Sequence, residues 1–137
     1  MELCSADVAE LAACTGLNPR EALAASLDLT PVPWIVLVDD KLVAVYGVSS
    51  APDGSFGVPW FLSTGEAKTF SKTFLKGSRE VIQKFHDQYD VLSNVVDSRH
   101  TVAINWLKWL GFQILPQPLW FHDPAVPFFQ FVRYNNV

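Results

Sequence analysis

Residues 93–112, SNVVDSRHTVAINWLKWLGF, decide the fold because a strand, a turn, a helix and a helix stop follow one another directly. The β-branched, apolar run 91–96 predicts a buried strand. After a polar turn, apolar residues recur at i, i+3, i+4 and i+7 and predict a helix over 101–110 with one buried face. That face consists of Ala103, Trp106, Leu107 and Leu110. Gly111 suits the left-handed conformation that ends many helices, and Phe112 returns to strand character.

Length and composition indicate how many domains the chain forms and which kinds of protein it resembles. The chain has 137 residues, of which 50% are hydrophobic and 18% charged, which predicts one domain (1–137) with a generous core. No apolar run approaches the roughly 20 residues that a membrane helix needs, so a soluble protein is expected. A net charge of −4 argues against a broad nucleic-acid surface. Cys4 and Cys14 have no metal-ligand spacing with the histidines, and reduced thiols in a cytosolic compartment are expected.

Two short helices and a hairpin are predicted first. Ser5 begins the first helix and Gly16 ends it. Its shared apolar face is made of Val8, Leu11 and Ala12. The second begins at residues 18–21, NPRE, where Asn is a cap, Pro takes the first helical position and Glu completes a capping box. The runs 34–38 and 42–48 then form strands joined across two aspartates.

A third strand, 58–62, contains Pro59, which cannot donate to a ladder, so this strand should bulge or stand at an opening in the sheet. A long helix is predicted over 71–88, where Gly77 and Ser78 would let it lie close on a sheet. The later predictions are a strand at 112–115, a stiff proline-rich connection at 116–127 and a closing strand at 128–134. The order α-α-β-β-β-α-β-α-β-β predicts an α/β fold with a mixed central sheet and helices on both faces.

Three side-chain expectations concern surfaces. Phe128 and Phe129 are adjacent in a strand and must point to opposite faces, so one of them should meet solvent, a helix or another chain. His86 and His122 are expected on the surface or in loops. Trp109 could face a partner.

This order and several motifs resemble the GNAT (acyl-CoA N-acyltransferase) fold. The residues are also similar to its phage and prophage branch, the internal virion protein A group of short-tailed phages. The motifs are GLNPREAL (16–23), GVPWFL (57–62), NVVD (94–97) and WLKWLGF (106–112). The fold normally starts with a strand, and residues 1–4 leave that strand missing or vestigial.

The resemblance implies a V-shaped opening between strands 58–62 and 91–96 that takes acetyl-CoA. The pantetheine arm would run along Trp60, Phe61 and Leu62, and Leu107 would lie on the far side. The pyrophosphate would bind at the start of the long helix, where free N–H groups favour anions. The residues implied there are Gly65, Lys68, Ser71 and Lys72.

Two departures from the family pattern weaken that cofactor site. The phosphate loop usually carries Arg/Gln-x-x-Gly-x-Gly/Ala, whereas residues 63–72 contain one glycine, Gly65, with Glu66 beside it. Active members often carry a tyrosine four residues before the Gly of Gly-Phe as general acid, and this chain has Leu107. The alternative for the lysines of the long helix is a solvated helix face.

A general base for amine acetylation needs a carboxylate or a histidine with a pKa near neutrality. Glu66, Asp97 and His100 are the candidates near the implied opening, and Asn94 could orient an acceptor amine. The alternative for Asn94 is that it satisfies backbone groups where the strands part. The alternatives for Asp97 and His100 are helix-start or solvent-facing roles.

Two functions of different class follow from the resemblance. The first is a virion-associated phage or prophage protein with a degraded acyl-CoA site, which binds other virion proteins or itself in the host cytoplasm and in the virion. The second is an active N-acetyltransferase that uses acetyl-CoA to modify an amine on a protein or small molecule. The missing glycines and Leu107 favour the first. The pattern indicates no metal site.

Overall fold

A computed structural model describes residues 5–63 and 72–135, and its elements follow the predicted order. The helices are α1 (Ser5–Thr15), α2 (Pro19–Asp28), α3 (Lys72–His86) and α4 (Thr101–Trp109). The strands are β1 (Trp34–Val38), β2 (Lys41–Ser50), β3 (Gly57–Ser63), β4 (Val91–Asp97), β5 (Gln113–Trp120) and β6 (Pro127–Tyr134). Residues 1–4 lie outside the described ranges, so the expectation of a vestigial first strand remains a prediction.

All six strands form one mixed sheet in the order β1-β2-β3-β4-β6-β5. The β3–β4 pair is parallel and the other pairs are antiparallel. Core residues of α3 and α4 pack on one face of the sheet, against Leu92, Val96 and Phe131. On the other face, Ala13 of α1 packs with Phe128, and the half-buried Val95 lies against them. The prediction of a mixed sheet with helices on both faces is confirmed.

The signals at element ends form as predicted. The Asn18 side chain accepts from the Glu21 N–H at 2.9 Å, and the Glu21 carboxylate accepts from the Asn18 N–H at 3.3 Å, which completes the capping box. Asp39 and Asp40 have φ of 51° and 62°, as the two-residue turn of this hairpin requires. Gly111 takes φ 93° after α4. The predicted apolar face of α4 lies against the core, where Leu110 is buried.

The buried face of α1 differs from the predicted one. Val8 is 38% exposed, whereas Asp7 and Ala13 are buried. Apolar periodicity gave the wrong face because the helix turns a carboxylate towards the sheet.

The connection after α4 also differs from its prediction. Strand β5 continues to Trp120 with a register irregularity between Ile114 and Pro118, so a strand ending at 115 was wrong. β5 lies at the edge of the sheet, where one side of the strand needs no ladder partner and proline is tolerated.

Several side-chain expectations are corrected by burial. His86 is 3% exposed, so its surface assignment was wrong, while His122 is exposed as expected. A Cβ added at Gly77 would meet nothing within 4 Å, so this glycine does not bring α3 close to the sheet. Phe128 is fully buried and Phe129 packs against the core of the opposite face, so helices of the same chain cover both rings. Within the described residues, no helix is long and apolar enough to cross a membrane.

Candidate functional site

The neighbouring strands β3 and β4 diverge. They pair at one position, Gly57 opposite Leu92. Each remains paired with its outer neighbour along its length, β3 with β2 up to Ser63 and β4 with β6 up to Asp97. A wedge-shaped opening therefore lies between the carboxyl ends of β3 and β4, as the resemblance implied, and we call it the gap.

Asn94 crosses the gap from β4 to β3. Its Nδ2 donates to the Pro59 carbonyl at 2.7 Å, and its Oδ1 accepts from the Val95 N–H at 2.7 Å. A buried carbonyl at a point where strands separate needs a replacement partner. The interpretation of Asn94 as a residue that satisfies backbone groups at the divergence is confirmed.

A line of aromatic rings runs from β1 to α4 on the face that α3 and α4 cover. The Trp34–Tyr46 and Tyr46–Phe61 ring centroids are each 6.2 Å apart. The Phe61 and Trp106 centroids are 5.1 Å apart, with the ring planes at 67°. Phe61 belongs to β3 and Trp106 to the helix after β4, so this contact joins the two sides of the gap. Such a pair contributes about 0.5–1.5 kcal/mol beyond its buried area.

Helix α1 meets the open ends of both strands on the opposite face. Asp7 Oδ2 accepts from the Ser63 N–H at 2.7 Å and from the Ser63 Oγ at 3.0 Å. Glu10 Oε2 accepts from the Asp97 N–H at 3.0 Å. Asp7 is 5% exposed and Asp97 is 1% exposed. Hydrogen bonds from backbone N–H groups to carboxylates are about twice as strong as neutral ones, and such bonds attach α1 to both strand ends.

The Asp97 carboxylate is engaged by Arg99 and does not cap α4. Asp97 Oδ2 lies 2.6 Å from Arg99 Nη2, and Oδ1 accepts from the Arg99 N–H at 2.8 Å. Burial acts to raise the pKa of Asp97, but the hydrogen bonds from Arg99 outweigh it and hold that pKa below its ordinary value. The N-cap of α4 is His100, which makes no side-chain capping bond, and Asp97 instead accepts from the Arg99 N–H in the turn before the helix. A buried carboxylate bound by a guanidinium is a poor general base.

His100 lies beside the gap and pairs with Glu10. Its Nδ1 is 3.4 Å from Glu10 Oε2, and both side chains are partly exposed. The hydrogen bond to Glu10 raises the pKa of His100, against an opposing effect of burial, and the negative charges of Glu10, Asp7 and Asp97 raise it further. An imidazole paired with a carboxylate can accept and release a proton, and this one lies at the edge of the gap.

The described residues predicted to hold a cofactor make structural contacts. Trp60 Nε1 donates to Thr30 Oγ1 at 2.8 Å. Leu62 is buried, and Leu107 packs against the core under α3 and α4. Leu107 has no acidic proton, so it cannot serve as general acid for a departing thiolate.

Other predicted site residues fall elsewhere. Gly65, Glu66, Lys68 and Ser71 lie outside the described residues, and Lys72 is described as the first residue of α3. The anion site at the helix start therefore remains a prediction. Cys14 is a free thiol whose pKa is raised by burial and by Glu10, which disfavours the reactive thiolate.

Sequence reasoning missed Asp7 and Glu10. The signal was available, because these acids are spaced i, i+3 on a helix whose other residues at that face are Ala13 and Cys14. A carboxylate pair on the small-residue face of a short helix indicates polar docking to backbone.

Comparison with known structures identifies the architecture. A GNAT family acetyltransferase from Elizabethkingia anophelis with acetyl-CoA bound has a TM-score of 0.65 and 14% identity, covering 96% of this chain and 90% of that one. An acetyltransferase from Bacillus subtilis in complex with CoA has a TM-score of 0.64 and 9% identity, covering 98% and 95%. A GNAT family acetyltransferase from Streptococcus pneumoniae has a TM-score of 0.61 and 13% identity, covering 82% and 71%.

These similarities show that the chain has the GNAT fold. No protein-family model matches the sequence, and no curated protein matches it. The finer resemblance to phage virion proteins therefore remains a prediction that rests on the quoted motifs.

Proposed function

We propose that this chain is a partner-binding protein on a GNAT scaffold, with its acyl-CoA site degraded. The observation that carries the proposal is that the chain's own side chains span the gap. Asn94 bonds Pro59, two residues beyond the position where β3 pairs with β4. Phe61 contacts Trp106 on one face, and on the other face Asp7 of α1 accepts from the Ser63 N–H at the end of β3. A cofactor arm lying along β3 would have to displace these contacts.

The residues present fit acetyl-CoA poorly. The Ser63 N–H is already bonded to Asp7, and the position of the usual acidic tyrosine is Leu107. If the cofactor binds, it would supply an activated acetyl group. Trp60, Phe61, Leu62, Gly65, Lys68, Ser71, Lys72 and Leu107 would form its site.

A surface suited to a partner lies at the other end of the aromatic line. Exposed apolar side chains occur along the end of α2, the following turn and strand β1, and we call this set the α2–β1 surface. It consists of Leu27, Leu29, Val32, Ile35 and Leu37. Exposed apolar groups beside a strand that forms a sheet edge among the described residues are typical of interaction sites. With the phage-like motifs, this supports a role among virion proteins or in self-assembly.

The second candidate is an acetyl-CoA-dependent N-acetyltransferase acting on a protein or small-molecule amine. The Glu10–His100 pair favours it, because Glu10 raises the pKa of His100 and so makes the imidazole a stronger base beside the gap. In that role, His100 would accept the proton that the acceptor amine loses. Neighbours of the same fold that carry CoA or acetyl-CoA make the cofactor chemically reasonable.

Calorimetric titration with acetyl-CoA separates the two candidates. The partner-binding proposal expects neither heat nor a thermal shift at millimolar ligand. Micromolar binding that Lys72→Glu abolishes, while Lys41→Glu at the start of β2 leaves it intact, would establish the enzyme candidate instead. For the virion role, the tagged chain is expected in purified phage particles released by the cells that encode it. Its confinement to the soluble lysate would contradict that role.

A further inference from the structure

We infer that α1 is a latch that fixes the separation of β3 and β4 and can detach as a unit. The inference rests on how α1 is attached, and it is independent of what the gap binds. Its two carboxylates reach the two sides of the gap, Asp7 to the end of β3 and Glu10 to the end of β4. A helix held to both strands resists any change in their spacing.

The attachment of α1 is mainly polar. Among the residues that the structure describes, the cluster that it joins contains three buried apolar residues, of which Ala13 is the contribution of α1. Counted in the same way, the cluster under α3 and α4 contains eight. Because buried apolar area dominates the stability of an element's docking, α1 has the weaker hydrophobic hold. Its release breaks the hydrogen bonds of Asp7 and Glu10. It also breaks two backbone bonds at the end of α1, where the Asp123 N–H donates to the Ala13 carbonyl at 2.9 Å and the His122 N–H donates to the Cys14 carbonyl at 3.4 Å. None of these bonds belongs to the main core, which stays intact.

Release of the latch would expose specific backbone groups. The Ser63 and Asp97 N–H groups would lose their carboxylate acceptors together, one on each side of the gap. Arg99, which touches both Asp97 and the Ala9 carbonyl of α1 at 3.5 Å, would lose its contact with the helix as well. The latch thus couples two strand ends that do not pair with each other.

Amide hydrogen exchange tests the latch on the full chain. Asp7→Ala is expected to speed exchange at Ser63 by about 10-fold or more, the equivalent of losing one charge-assisted hydrogen bond. A latch that moves as a unit also predicts faster exchange at Asp97, which Asp7 does not touch. Glu10→Ala is expected to produce the reciprocal effect. Amides of Leu92 and Phe131 in the main core should be unchanged in both variants.

The exchange pattern distinguishes release of α1 as a unit from the loss of single contacts and from opening of the whole domain. Faster exchange confined to the amide that each carboxylate contacts would overturn the latch, since α1 would then be a set of independent contacts. Faster exchange of the core amides as well would also overturn it, because the whole domain would be opening. Glu80→Ala on the exposed side of α3 is the matched control and should change neither Ser63 nor Asp97. If Asp7→Ala does not fold, Asp7→Asn keeps an acceptor oxygen without the charge, and a smaller effect at the same two amides is expected.

Discussion

At the scale of single residues, the Glu10–His100 pair makes the stability of the folded chain depend on pH. Because the pKa of His100 is raised in the folded chain, the stabilisation it contributes is fully present below about pH 6.5, the ordinary histidine value, and is lost as pH rises through the folded pKa. We expect Glu10→Gln to lower the pKa of His100, as followed by NMR titration of its ring protons. The control Glu80→Gln should leave it unchanged, and an equal shift in both variants would contradict the pairing.

His86 makes stability depend on pH in the opposite direction. Its Nδ1 lies 3.0 Å from the Tyr89 carbonyl, and its Nε2 is buried with no hydrogen-bond partner among the described residues. Burial lowers the pKa of His86, against the opposing bond to Tyr89. Below about pH 6.5 the unfolded chain therefore takes up a proton that the folded chain refuses, and stability falls as pH decreases.

We expect His86→Asn, which can still donate to Tyr89, to flatten this acid loss of stability. Urea unfolding at pH 7 and pH 5 measures it for both chains. The native sequence should lose more of its free energy of unfolding over that interval than the variant. An equal loss of unfolding free energy in both chains would show that a group other than His86 controls stability at acid pH.

At the scale of elements, Gly77 weakens α3 without an evident packing benefit. A Cβ there would meet nothing within 4 Å, and the residue does not need a positive φ. Gly77→Ala is therefore expected to raise the free energy of unfolding by about 1 kcal/mol. Thermal or urea unfolding provides the measurement.

Gly57→Ala is the contrasting control for that prediction. Its added Cβ would lie 2.6 Å from the Tyr89 ring and 2.9 Å from Val48, so this substitution should destabilise the chain. A stabilising Gly57→Ala would contradict the close contacts of Gly57 with Tyr89 and Val48. A destabilising Gly77→Ala would contradict the open space beside Gly77.

Local signals predicted most of the elements because each has its own physical cause. Asn18 and Glu21 cap α2, two aspartates turn the first hairpin, and Gly111 ends α4, so these boundaries are encoded within a few residues. The end of β5 was missed because proline in a strand is acceptable only at an edge. That β5 is an edge strand follows from the strand order of the whole sheet, and residues 113–120 alone carry no signal for it.

The candidate site was less predictable for the same reason. Asn94 and His100 could be selected from sequence since they flank the most diagnostic stretch of the chain. Their partners Pro59 and Glu10 are 35 and 90 residues distant along the chain, and the fold alone brings them together. Asp7 was missed because apolar periodicity searches for apolar residues, whereas the sheet ends that α1 covers require acceptors for backbone N–H groups.

At the scale of the whole molecule, the two edges of the sheet differ, and the α2–β1 surface lies at one of them. It places Ile35 and Leu37 in solvent on a strand that forms one edge of the sheet. The opposite edge, β5, carries prolines that block further pairing. Strand addition or apolar association should therefore occur at β1 and not at β5.

This asymmetry predicts concentration-dependent self-association through β1. Ile35→Lys is expected to suppress it, because a charged side chain on an edge strand opposes both apolar contact and strand pairing. Sedimentation velocity over a range of concentrations measures the effect. Val102→Lys removes an even more exposed apolar side chain from a different element, α4, and should leave association unchanged. If Ile35→Lys associates as the native sequence does, self-association through β1 is refuted.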